Sequence, residues 1–198
     1  VMEKKLTVAA ILKEGVGIGM KNLVPILVNV LLWVLTVWIP YLNVGTTIGL
    51  AVGLVAKASK GEVISMTEIF DPRYRKYMGE FFLTHGLVLM GVTAGMMLFI
   101  VPGVVIGIAW SLVLLFAVDK EISPVDAISK SNKATYGSKA TIFGANVVLV
   151  VVVAIASAIF TRIPGIGPLL SLAVTVGAIF VGVGMQAYVY KVLGADIK

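Results

Sequence analysis

The sequence predicts an all-α, polytopic membrane protein: six transmembrane helices forming three pseudo-repeated helical hairpins, with short interfacial helices on the cytoplasmic side. Three observations carry that expectation. Of 198 residues, 59% are apolar and 13% charged, and the mean hydropathy is +1.04; soluble domains average roughly 45–50% apolar and about 25% charged. Most of the chain falls into apolar runs of the roughly 17–25 residues that cross a hydrocarbon core about 30 Å thick. This leaves one integral membrane domain over residues 1–198 and no segment for a separate soluble one. Finally, Pro40, Pro102 and Pro164 each end a long apolar run, and they recur at an interval of 62 residues.

In chain order, Leu6 to Met20 is modestly amphipathic, with Thr7 placed to cap it, and Lys21 and Asn22 separate it from a first span, Leu23 to Ile39. After the Pro40 turn, where Trp38 and Tyr41 suit the wet edge of a bilayer, a second span runs from Tyr41 to Ala56. Gly45, Gly49 and Gly53 fall four apart along it, a small-residue row that lets another helix approach closely. Ser65-Met66-Thr67-Glu68 has the S-x-x-E form of a capping box, so a short helix is expected there. The third span is expected to rise continuously from Pro72 to Val101, with Arg73, Arg75 and Lys76 at the headgroups. Beyond the Pro102 turn, the fourth span covers Gly103 to Val118 and carries Gly103, Gly107 and Ser111 at the same spacing of four. Ser123-Pro124-Val125-Asp126 reads as a capped helix start, leading a polar helix to about Tyr136. The fifth span is Ala140 to Phe160, Arg162 to Pro168 turns, and the sixth is Leu169 to Tyr190.

A second landmark agrees with the repeat. The cap candidates Thr7, Ser65 and Ser123 are 58 residues apart, and Asn22, Thr84 and Asn146 recur at 62. The repeats are therefore read as about 6–62, 63–121 and 122–192. Each begins and ends on one face, which makes them parallel repeats about an axis along the membrane normal, unlike inverted ones. All Lys and Arg residues except Arg162 fall on that face, so the positive-inside rule puts it, with both termini, in the cytoplasm.

Little in the sequence is chemically pointed. There is no cysteine, so disulfides and thiolate metal ligands are excluded, and no P-loop, G-x-S-x-G or H-E-x-x-H occurs. A lone histidine, His85, cannot by itself build the usual zinc constellations. His85, Asn29, Asn146 and Gln186 are the polar groups inside spans; interhelical hydrogen bonding is their leading role, with a solute path as the rival. His85 is expected to bond a neighbouring helix such as the one carrying Asn146. The edge carboxylates Asp71, Glu80, Asp119, Glu121 and Asp126 are read as capping and ion-pairing groups. Lys21, Arg73, Arg75, Lys76, Lys130, Lys133 and Lys139 are candidates to face anionic lipid, where each near-surface charge adds about 1 kcal/mol of attraction. No cofactor, metal or nucleic acid is expected as a partner.

Val101-Pro102-Gly103 with Trp110, Ser111 and Asp119, followed by Ser123 to Ser131 and Tyr136-Gly137-Ser138-Lys139, resembles the bacterial membrane-domain superfamily named for glycerophosphoryl diester phosphodiesterases. In that superfamily an I-P-G turn, a small and aromatic helix, an Asp and an A-x-x-x-S…G-x-K segment recur. The resemblance covers about Ile100 to Val153 and implies an uncharacterised six-helix membrane protein; the catalytic phosphodiesterase domain of some members has no counterpart here. The expected function is therefore non-catalytic: structural, scaffolding or lipid-organising in the bacterial inner membrane, with membrane lipids and a second copy or another membrane protein as partners. The alternative is a channel or facilitator for a small or lipid-like solute.

Overall fold

The computed structural model describes residues 6–197, and these are helical wherever they are regular. We number the helices α1 (Val8–Lys21), α2 (Leu23–Thr36), α3 (Pro40–Lys60), α4 (Arg73–Lys76), α5 (Met78–Leu98), α6 (Ile100–Asp119), α7 (Pro124–Ala134), α8 (Lys139–Phe160) and α9 (Gly167–Leu193). Five of them, α3, α5, α6, α8 and α9, are long and apolar enough to cross a membrane; α1 and α2, bent by 73° at Asn22, pass the same test only as a pair.

Caps explain two of the starts. The Thr7 hydroxyl accepts from the Ala10 amide at 3.2 Å, and Ser123 accepts from Asp126 at 3.3 Å. Ser65 breaks the pattern: its hydroxyl accepts from Thr67 and only a single 3₁₀ turn, Glu68–Phe70, follows. The expected capping box is absent because the Glu68 side chain turns inward instead of back to the helix start.

The three prolines occupy different places. Pro40 is the first residue of α3, Pro102 the third residue of α6, and Pro164 lies three residues ahead of α9. In the second hairpin the reversal therefore falls at Phe99, an extended residue between α5 and α6, and not at Pro102. Pro102 is accommodated because the first-turn amides of a helix have no intrahelical acceptor.

A segment precedes each hairpin, and it docks on the returning helix of the hairpin before it. The turn and α4 (residues 68–76) lie on α3, α7 lies on α6, and α1 closes the circuit on α9. Glycines set these approaches. A Cβ at Gly184 would come within 2.0 Å of the Gly15 carbonyl oxygen, and one at Gly19 within 2.4 Å of the Phe180 carbonyl, so the α1 and α9 backbones touch. The row on α3 serves the same purpose for a 3₁₀ turn and the short α4 rather than for a long helix: Gly49 faces the Ile69 backbone, and Gly53 gives up its side chain to the Tyr74 phenol. Around them α3 widens into a π segment, Gly49–Gly53. In the second hairpin Gly103 abuts Met96 of α5, while Gly107 has only Val92 at 4.0 Å.

Docking of residues 68–76 overturns one expectation. The sequence puts Tyr41 and Arg75 at opposite bilayer edges, yet the Arg75 guanidinium stacks 5.1 Å from the Tyr41 ring centroid, and a Cβ at Gly45 would meet Arg75 Cγ at 2.8 Å. Gly45 is five residues from Pro40, about 8 Å along a helix axis. The first hairpin thus differs from the others: α3 is mostly buried, whereas α5, α8 and α9 are largely exposed along their apolar lengths.

The core is consequently displaced toward the charged end. It is built from Ile48 to Ala58 of α3, Leu112 to Val118 of α6, and Met185 to Tyr190 of α9, with Phe116 fully buried. Toward the turns, Met97 to Val101, Ile155, Ile159 and Leu169 stay exposed.

Gly184→Val is expected to separate α1 from α9 and to lower stability by about 1–3 kcal/mol, the usual cost of overpacking. Gly17→Ala, with nothing within 4 Å of its Cβ, should be neutral or stabilising by up to about 1 kcal/mol. Thermal unfolding of the two variants in one detergent checks the contrast.

Candidate functional site

At the charged end, the last turns of α3 and α6 and the α4 turn enclose a polar cavity of about 180 Å³, whose walls include Lys57, Lys60, Tyr74, Tyr77, Asp119 and Glu121. Three of its lining residues, Lys57, Arg73 and Tyr74, belong to an ion network centred on Glu68, which is only 3% exposed. Lys57 Nζ reaches Glu68 Oε2 at 2.7 Å, Arg73 Nη2 reaches Oε1 at 2.8 Å, and the Tyr74 hydroxyl donates to Oε1 at 2.7 Å. Burial acts to raise the Glu68 pKa, but the hydrogen bonds from Lys57 and Tyr74 and the two cations outweigh it and hold the carboxyl below its ordinary 4.5. Burial and the bond to Glu68 push the Tyr74 phenol up.

Asp119 occupies the cavity's other wall, paired with Lys60 at 2.7 Å and accepting from the Tyr190 hydroxyl at 2.7 Å. Glu121 accepts from the Tyr77 hydroxyl, a bond that pushes that phenol upward. With φ of 53°, Glu121 is the one non-glycine in the left-handed region among the described residues, a conformation that costs on the order of 1 kcal/mol or more. It allows the chain to leave α6 sharply and the Ile122 amide to reach the Phe116 carbonyl at 3.2 Å. Both carboxylates at this wall are engaged, Asp119 by Lys60 and Tyr190 and Glu121 by Tyr77.

The four polar residues that the sequence places inside spans divide into two kinds. Asn29, fully buried, donates to the Pro25 carbonyl at 2.9 Å and the Ser65 carbonyl at 2.8 Å, and accepts from the Ile69 amide at 3.0 Å; it pins the 65–69 link to α2. Gln186 donates to the Ser111 carbonyl at 2.8 Å, at a break in α6. His85 and Asn146 lie on exposed helix faces. His85 stacks on Phe81 at 5.8 Å and Asn146 donates to its own helix at Ile142, so the expected bond from His85 to the helix carrying Asn146 is not made.

The α6 break also recruits residues whose roles the sequence did not suggest. Ser131 donates to the Ala109 carbonyl at 2.7 Å and accepts from the Leu112 amide at 3.3 Å; Thr135 adds a bond to Ala109 at 3.3 Å. Ala127, Ser131 and Thr135 recur every four residues and are each fully buried, so a spacing of four on α7 was the legible signal. Ser111 Oγ and Thr84 Oγ1 are buried without a partner.

The candidate lipid-facing cations also separate. Arg73 is consumed by Glu68 and Asp71, and Arg75 by Tyr41. Lys76 lies over Tyr77, Lys21 and Lys133 are exposed, Lys130 is half-buried, and Lys139 bonds Asn132 and lies over Tyr136. No cluster of three or more His, Cys, Asp or Glu is placed to hold a metal among the described residues. No family model, curated protein or solved structure matches this chain.

A carboxylate with a depressed folded pKa adds stability above its ordinary value and loses that contribution as pH falls through the folded value. Stability should therefore fall below pH 4.5 in part through Glu68, and Glu68→Gln, costing about 1–3 kcal/mol at neutral pH, should flatten that portion of the profile in melts from pH 3 to 7. Ser131→Ala strands the Leu112 amide and is expected to cost about 1–3 kcal/mol; hydrogen exchange at Leu112 should accelerate while exchange in α8 stays unchanged.

Proposed function

We propose that this chain is a non-catalytic multi-pass protein of the bacterial inner membrane that organises lipid or partner proteins through its exposed apolar helices, as a relative of the six-helix proteins it resembles. The carrying observation is that Asn29, His85, Asn146 and Gln186 do not converge on a path. Two of them are spent on backbone groups inside the fold, and two lie on outward faces of α5 and α8. A solute pathway needs polar groups facing a common lumen, so this arrangement favours the scaffold over the facilitator.

The charged end, with its closed ion network, reads as the cytoplasmic body on which the hairpins are anchored, both termini lying on that side. The three leading segments, each on the preceding returning helix, support a triplicated ancestry in which the first copy has become the most buried. Large exposed side chains along α5, α8 and α9, among them Leu89, Met90, Val150 and Ile155, provide membrane-facing surface for lipid or for a second copy.

Reconstituted into liposomes, the protein should pass glycerol, small ions and amino acids no faster than empty vesicles do. Single cysteines at Leu89 or Val150, introduced into this cysteine-free chain, should cross-link copies in native membranes. Solute flux that disappears when the four polar residues become apolar would sink the scaffold reading.

A further inference from the structure

An apolar groove of about 560 Å³ runs between the first half of α6 and the start of α8. Ile100, Val104 and Ile108, four apart on one face of α6, form one wall; Phe143 of α8 forms part of the other. Eight residues of helix make the groove about 12 Å long, and Ile100, Val105 and Phe143 are exposed along it. One charged residue lines it: Lys139. The Lys139 ammonium is held by neutral groups, bonding Asn132 Oδ1 at 2.8 Å and lying 5.9 Å from the Tyr136 ring centroid. An ammonium has three donors, so two remain for an acceptor. Tyr136 is 82% exposed, as suits an aromatic residue at headgroup level.

We propose that this groove is a binding site for an anionic phospholipid, one acyl chain lying along Ile100 to Ile108 and the phosphate bonded to Lys139; the proposal deepens the lipid-organising reading and rests on it. The occupant must be apolar over about 12 Å and negative at one end, and an anionic lipid satisfies both demands. A zwitterionic headgroup brings its own cation beside Lys139 and gains less. A second copy packed span to span is a poor fit, because α8 and α9 carry no carboxylate and α5 carries only Glu80 in its first turn. The groove's charge would then be covered without being neutralised, which apolar surroundings penalise.

The delipidated protein, equilibrated with equimolar phosphatidylglycerol and phosphatidylcholine vesicles, repurified and examined by native mass spectrometry, should retain phosphatidylglycerol preferentially. Lys139→Gln should cut that retention roughly fivefold, the effect of one near-surface charge, and leave phosphatidylcholine unchanged, while Lys139→Arg keeps it. Val104→Trp, which fills the slot, should remove both lipids; Lys139→Gln carries the test if that variant misfolds. Equal retention of the two lipids by the unmodified protein, wild-type phosphatidylglycerol retention in Lys139→Gln, or displacement by millimolar inorganic phosphate would overturn the proposal. Failure here with vesicles still tight to solutes removes the groove alone, whereas solute flux removes the scaffold reading itself.

Discussion

Backbone amides and carbonyls released where a helix stops must find partners inside the protein, because an apolar surrounding offers none. This chain stops its helices often, and side chains meet that demand at two of the breaks. Asn29 takes the Ser65 carbonyl and the Ile69 amide with the two ends of one carboxamide. At the interruption of α6, Ser131, Thr135 and Gln186 bind the groups of Ala109, Ser111 and Leu112. The Ser131 and Thr135 bonds seat α7 on α6, as Asn29 seats the 65–69 link on α2.

The glycines follow from the same requirement. A side-chain oxygen or amide reaches a neighbour's backbone only if the two elements come close, and close approach needs missing side chains. Gly15, Gly19 and Gly184 bring α1 and α9 into backbone contact, and Gly49 and Gly53 admit Ile69 and Tyr74. Once Tyr74 is seated, its hydroxyl, Lys57 and Arg73 surround Glu68. A carboxylate that would be costly alone in the core thereby becomes the centre that ties the 65–77 link to α3.

The consequence is an uneven molecule. Packing, polar satisfaction and charge pairing concentrate at one end, while the apolar helices keep large side chains exposed toward their turns. Surface of that kind is suited to a membrane, where it loses nothing by facing acyl chains. A transporter concentrates its polar residues along a path between helices; here the polar residues hold backbone, or lie on separate outer faces.

Hydropathy by itself determined the helical class and the apolar segments, because a membrane-length run must be predominantly apolar whatever it packs against. Thr7 and Ser123 were legible as caps, since a cap bonds an amide only a few residues away. Ser65 misled for a related reason: the local pattern was complete, but Glu68 gained more from Lys57, Arg73 and Tyr74 than from a helix start. The spacing of four at Gly45, Gly49 and Gly53 announced close approach without naming the partners, which proved to be Arg75, the 3₁₀ turn at Ile69 and Tyr74. Only the tertiary structure decided that Tyr41 meets Arg75, that Asn29 and Gln186 serve backbone, and that Lys139 ends an apolar groove. Each of these pairs residues distant in sequence, and their meeting depends on where the hairpins dock, which no local periodicity encodes.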